Sequence, residues 1–167
     1  MPVQRLNHAV LYVRDVERSV GFYRDVLGFR VKTEIPGRAA FLQAEGSTND
    51  HDLGLFAVGA TAGASTAGRS TVGLYHLAWE VDTLAELSRV RGVLAEHGAL
   101  VGQSDHGTTK AVYAVDPDGI EFEVSWLVPA DRLPAEVTVL TAPLDLEAEI
   151  ARYGAQTPGG IGVSVPG

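Results

Sequence analysis

His8, His76 and Glu123 are the residues whose types and spacing could do chemistry. The two histidines occupy matching places in an internal repeat. The first copy reads Leu6-Asn7-His8-Ala9-Val10 and the second Leu74-Tyr75-His76-Leu77-Ala78. Each copy runs on to a Val (Val13, Val81), then to an Asp with a helical stretch, then to a Gly (Gly28, Gly98). Glu123 lies where the last strand of the second copy is expected. Two imidazoles and one carboxylate, each carried on a strand, can occupy one face of a metal and leave the opposite positions open. That is the ligand set of a non-haem Fe(II) oxygenase. Either histidine alone would read as an ordinary core or surface residue; the matching positions make them a pair. The repeat is read first because it decides which distant residues meet.

The elements that must position these residues follow from local patterning. Residues 5–13 alternate, with Leu6, His8, Val10 and Tyr12 on one side and Asn7, Ala9, Leu11 and Val13 on the other, as a strand does. Asp15 can cap a helix over 16–27 whose apolar stripe is Val16, Val20, Tyr23 and Val26 or Leu27, and Gly28 stops it. Strands are expected at 29–33, 39–44 and 52–58, punctuated by Pro36-Gly37 and Glu45-Gly46. Residues 59–72, rich in Gly, Ala, Ser and Thr, suit a flexible connector. The order then repeats. A strand is expected over 74–81, and a helix over 83–97 behind a capping box Thr83-x-x-Glu86. Strands are expected at 100–103, 110–115 and 121–127, the last two joined by the turn Asp116-Pro117-Asp118-Gly119. The expected fold class is therefore α+β: paired βαβββ modules, 3–58 and 73–128, within one domain over 1–128. Residues 129–167 form a C-terminal extension with a short helix at 145–153 and a mobile end from Thr157 to Gly167.

Composition narrows the partners. The chain has 167 residues, an apolar fraction of 46%, no cysteine and a formal charge of −8. It can bury a proper core. Any metal must be held by His, carboxylate or water. No basic footprint points to nucleic acid. Met1-Pro2-Val3-Gln4-Arg5 has no long apolar run behind it, so neither a signal peptide nor a membrane span is expected, and the default location is the cytoplasm. The oligomeric state is open, and a homodimer, with or without exchange of modules, is compatible with the pattern.

Other residues carry two readings. Glu121, Glu123 and Ser125 share one face of the last strand; a solvated face accounts for Glu121, whereas a charge in an otherwise apolar strand needs water or a partner. His51, in Asn49-Asp50-His51-Asp52, and His106, in Asp105-His106-Gly107, also fit surface loops. Tyr113 also fits a packed aromatic. His97, before Gly98, reads as a helix-end residue that complements the dipole.

Residues 3–128 resemble the vicinal oxygen chelate superfamily, in which paired βαβββ modules form a cupped, partly open mixed-sheet barrel around a metal. Within it, the likeness is to type I extradiol ring-cleavage dioxygenases. Their signature is matched by His106, Gly107–Ala111, Val112, Tyr113, Ala114-Val115, Asp116, Pro117, Asp118, Gly119, Ile120-Glu121-Phe122 and Glu123. Ser104 departs from it, and Asn49 stands nearer His51 than is typical. The resemblance implies His8, His76 and Glu123 as ligands of Fe(II), or of Mn²⁺ or another divalent ion. It implies His51, His106 and Tyr113 as the catalytic groups around the metal, with His51 the acid–base residue. It implies a small aromatic diol and O2 as substrates. It also implies that the chain lacks the degenerate first domain of the larger dioxygenases. A glyoxalase I type isomerase or lyase is the first alternative. That chemistry uses a fourth ligand, a first-half Glu, and here the equivalent position falls near Leu55. A ligand-sequestering resistance protein is the second, and the retained ligand types argue against it.

Overall fold

The computed structural model describes residues 2–68, 70–133 and 141–160. The chain divides into two compact units. The first is residues 1–65 with 116–119, and the second is residues 66–115 with 120–167. Each unit contains one βαβββ module, and hydrogen bonding gives two separate four-stranded sheets rather than one closed barrel. No helix among the described residues is long and apolar enough to cross a membrane.

The first unit is built from β1 (Ala9–Val13), α1 (Val16–Leu27), β2 (Arg30–Ile35), β3 (Ala39–Gln43) and β4 (Leu53–Ala57), with sheet order β1-β4-β3-β2. β1 and β4 run parallel, with Ala9 opposite Leu53, and the other pairs are antiparallel. The helix forms where the local signals converge. The Asp15 carboxylate accepts the Arg18 N–H at 2.8 Å, and Gly28 turns the chain out at φ 74°, a conformation that costs glycine nothing. Val16, Val20, Tyr23 and Val26 are buried, as are Leu11, Val13, Ala40, Leu42, Leu53 and Leu55 of the sheet. Asp15→Ala should cost about 1 kcal/mol, read as a lower urea midpoint with unchanged slope; an unchanged midpoint would mean the cap contributes nothing. The turn Asp116–Gly119 packs in this unit. Arg14 donates to Asp118 from its backbone N–H at 3.0 Å and from Nη1 at 2.8 Å, and the Tyr23 hydroxyl donates to Asp116 at 3.2 Å. Burial, then the Asp116 charge and hydrogen bond, push the Tyr23 phenol well above its usual range.

The second unit is built from β5 (Leu77–Glu80), α2 (Leu84–Glu96), β6 (Leu100–Asp105), β7 (Thr109–Val115), β8 (Glu121–Leu127) and α3 (Leu146–Tyr153), with sheet order β5-β8-β7-β6. β5 and β8 are parallel, and β8-β7-β6 is antiparallel. The expected capping box is half made. Thr83 accepts the Glu86 N–H at 3.2 Å, but the Glu86 carboxylate turns to Arg89 at 2.6 Å, because an ion pair on the same helix face competes for it. His97 caps the helix end through Nδ1, 2.8 Å from the Val93 carbonyl. The helix of the extension forms as expected, its Asp145 side chain accepting the Ala148 N–H at 3.0 Å. Residues 157–160 are held in place: Gly159 donates to the Asp82 carbonyl at 2.8 Å. A Cβ on Gly159 would collide with the Leu127 carbonyl and the Trp126 indole. Residues 161–167, also expected to be mobile, lie outside the described residues.

One expectation needs correcting. Both histidines were placed within strands, yet β1 begins at Ala9 and β5 at Leu77, so His8 and His76 each stand one residue before a strand. The strand ladder starts only at Ala9, opposite Leu53, and side-chain period alone does not make a ladder.

Candidate functional site

The second sheet brings four of the six expected residues together. Glu123 on β8 lies directly across from Tyr113 on β7 and from Ala78 on β5. Directly opposed residues share a face, so Glu123 and Tyr113 point the same way. Their neighbours Phe122 and Val124 are buried on the other side. His76, just ahead of β5, sets Nε2 3.5 Å from Glu123 Oε2. His106, in the turn between β6 and β7, sets Nε2 2.7 Å from the Tyr113 hydroxyl. Burial, followed by the Glu123 charge, raises the Tyr113 pKa. Tyr113 therefore keeps its proton, and its hydroxyl is tied to His106 Nε2. The result is a row along one face, His106–Tyr113–Glu123–His76. The Ser104 hydroxyl, at the departure from the signature, works against the Tyr113 pKa rise. Glu121 is exposed, as the solvated reading expects.

The first sheet holds the other two residues. His8 and His51 lie with ring centroids 4.6 Å apart, because the parallel pairing of β1 with β4 puts their leading residues side by side. Each imidazole is oriented by an acceptor. His8 Nδ1 is 2.8 Å from Asn7 Oδ1, and His51 Nδ1 is 2.9 Å from Asp50 Oδ2. An amide oxygen and a carboxylate only accept, so Nδ1 is the donor in both rings and Nε2 is left clear of these contacts. The hydrogen bond to His51 holds the exposed Asp50 carboxyl below its usual range. The Phe41 ring meets His51 edge-on at 5.1 Å.

Asn7, Asp50 and Phe41 were missed in the sequence. Asn7 and Asp50 adjoin the histidines they orient, a signal that was available. Phe41 reaches His51 only through strand pairing. The remainder of the Asn-Asp-His-Asp run is structural. Asp52 accepts from Ala44 N–H, Ser47 and Asn49 at 2.7–2.9 Å, and Asn49 donates to the Asn7 carbonyl at 2.8 Å, tying the loop to the His8 segment.

The donor set of the second sheet suits a divalent cation. Bonds of about 2 Å put neighbouring ligand atoms about 3 Å apart, near the His76–Glu123 spacing. Glu123 is only 13% exposed, and its one ion-pair partner among the described residues is His76. An anion so placed is costly without a cation. His76 Nδ1 is buried without a hydrogen-bond partner, whereas a ligating imidazole ordinarily donates from its second nitrogen. His8, the third expected ligand, belongs to the other unit. Among the described residues no three His, Asp or Glu side chains are already gathered as a metal group.

Comparison with known proteins places the fold. Residues 5–124 match the model of the glyoxalase/bleomycin resistance protein/dioxygenase superfamily. A catechol-2,3-dioxygenase of Bacillus subtilis is 36% identical over 121 residues, covering 71% of this chain and 40% of that protein. A manganese-dependent 2,3-dihydroxybiphenyl 1,2-dioxygenase of Geobacillus genomosp. 3 is 26% identical, covering 79% of this chain and 39% of that protein. The chain thus spans less than half the length of these relatives. The crystal structure of a glyoxylase/bleomycin resistance protein/dioxygenase domain from Frankia superposes with a TM-score of 0.61 at 22% identity, covering 74% of this chain and 92% of that one.

Proposed function

Because the chain belongs to the glyoxalase/bleomycin resistance protein/dioxygenase superfamily, we propose that it is an Fe(II)-dependent extradiol dioxygenase that opens the ring of a small aromatic diol with O2. The observation that carries this reading is the row His106–Tyr113–Glu123–His76 on one sheet face. The names of its dioxygenase relatives support it. His8, His76 and Glu123 would hold the metal. Imidazole and carboxylate also accept Mn²⁺, and one relative is named manganese-dependent. The chemistry a bound divalent ion supplies is acidity toward the diol hydroxyls and a common anchor for diol and dioxygen.

The chain's own residues handle protons and charge. His51, with Nδ1–H given to Asp50, presents Nε2 to receive a diol proton and return it as the ring opens. Tyr113, kept neutral by burial and by Glu123, offers a hydroxyl to negative charge developing on the oxygens. His106 fixes that hydroxyl through Nε2. The Phe41 and Phe56 rings, 5.8 Å apart edge to face, offer an apolar surface that suits an aromatic ring.

His51→Ala should keep its metal and bind diol, while turnover falls by about 10²–10⁴. The assay is the ring-opened chromophore formed when air enters an anaerobic protein–diol mixture. Wild-type turnover in the variant would remove His51 from the mechanism. A fully Fe(II)-loaded wild type that cleaves no diol in a broad panel, but isomerises a thiohemiacetal, would replace the dioxygenase reading with a glyoxalase-like one.

A further inference from the structure

Lys110 is buried in the second unit, its side chain only 1% exposed. It points to the side of β7 opposite Tyr113, and a buried ammonium must be paired. Two carboxylates pair it: Asp105 at 2.5 Å and Glu149 at 2.9 Å. Glu149 belongs to α3, outside the repeat and beyond the residues the family model matches. Asp105 ends β6, next to His106. The extension holds Asp105 a second time, through the backbone. Its N–H donates to the Ala142 carbonyl at 2.9 Å, and the Ala142 N–H donates back at 3.0 Å. A third tie joins Gln103 to the Leu144 carbonyl at 2.7 Å. The Asp105 carboxylate then accepts the Gly107 N–H at 2.8 Å, where the chain turns at φ 78°. His106 thus sits between Asp105, which the extension anchors, and Gly107, which the Asp105 carboxylate holds.

We propose that the C-terminal segment from Ala142 to Tyr153 is a positioning element of the site, acting through Glu149, Lys110 and Asp105 to hold the His106 turn so that His106 Nε2 meets the Tyr113 hydroxyl. Glu149 and Ala142 are positioning residues, since neither touches the reacting atoms. The proposal rests on the reading that His106 serves diol cleavage. A ring displaced by about 1 Å loses up to about a hundredfold in rate.

The test uses the metal-loaded full chain with Glu149→Gln and, independently, Ala142→Pro, which removes the backbone donor to Asp105. Glu149→Gln still leaves Lys110 with one carboxylate, so the fold should persist. In both variants amide exchange at Gly107 and Thr108 should quicken by at least about tenfold, while Val112 and Phe122 keep their protection. The kcat for diol should fall by about tenfold or more, with KM and metal content unchanged. Glu147→Gln, an exposed change on the same helix, should alter nothing. Unchanged exchange at Gly107 in both variants would overturn the proposal, and so would faster exchange with wild-type kcat. Should the wild type cleave no diol, the function reading fails separately. The imidazole nitrogen shifts of His106 then decide, their movement in both variants supporting the positioning role and their constancy overturning it.

Discussion

Glu123→Ala is expected to leave a folded protein that loses its divalent metal on dialysis and cleaves diol more than about a hundredfold more slowly. Changes merely next to metal ligands already cost about 10–100-fold, and Glu123 is the only anion in the proposed ligand set. The metal-free fold should survive, because truncating a mostly buried carboxylate relieves a desolvation cost. Elemental analysis, turnover and the metal-free unfolding midpoint read the three effects separately. Glu121→Ala is the matched control on the same strand, and its exposed side chain predicts no change. Full metal occupancy in Glu123→Ala would remove the carboxylate from the ligand set.

Lys110→Met is expected to cost about 3–5 kcal/mol of stability, since it strands Asp105 and Glu149 together without their cation. Unfolding in urea measures it as a lower midpoint. The pH dependence should change as well. Burial pushes the Asp105 carboxyl up, but the hydrogen bonds from Lys110 and the Gly107 N–H, with the Lys110 and Arg152 charges, outweigh it and leave the pKa below its usual value. A carboxyl whose folded pKa is depressed adds stability that is present above the unfolded value of about 4 and is lost as pH falls through the folded value. The wild type should therefore show this loss at acid pH. In Lys110→Met the burial remains and the main opposing interactions are gone, so the loss should shrink or reverse. Urea midpoints between about pH 3 and 7 test this, and parallel wild-type and variant curves would refute the assignment.

The part of this protein that could be read from its sequence is the part set by neighbours along the chain. Asp15, the Val16–Val26 stripe and Gly28 define α1 within a single stretch, and the structure reproduces it. The repeated order of strands and helix emerges for the same reason, with α2 shorter by one residue at either end. Even the orientation of His8 and His51 is local, because Asn7 and Asp50 are adjacent in sequence. Strand onset was misjudged at His8 and His76 because a strand begins where its partner begins, and β4 and β8 lie far along the chain.

By itself the sequence determined the βαβββ repeat, α1, the helix of the extension and a short list of residues able to do chemistry, since caps, glycines and hydrophobic period act over a few residues. Only the tertiary structure decided which of those residues meet. Cross-strand register put Tyr113 opposite Glu123 and left Glu121 in solvent. Lys110 looks in sequence like any strand lysine, which keeps its charge in water. Its burial depends on Glu149, supplied by a helix that packs from far along the chain. Burial and ion pairing between distant residues are properties of packing, and no local pattern encodes them.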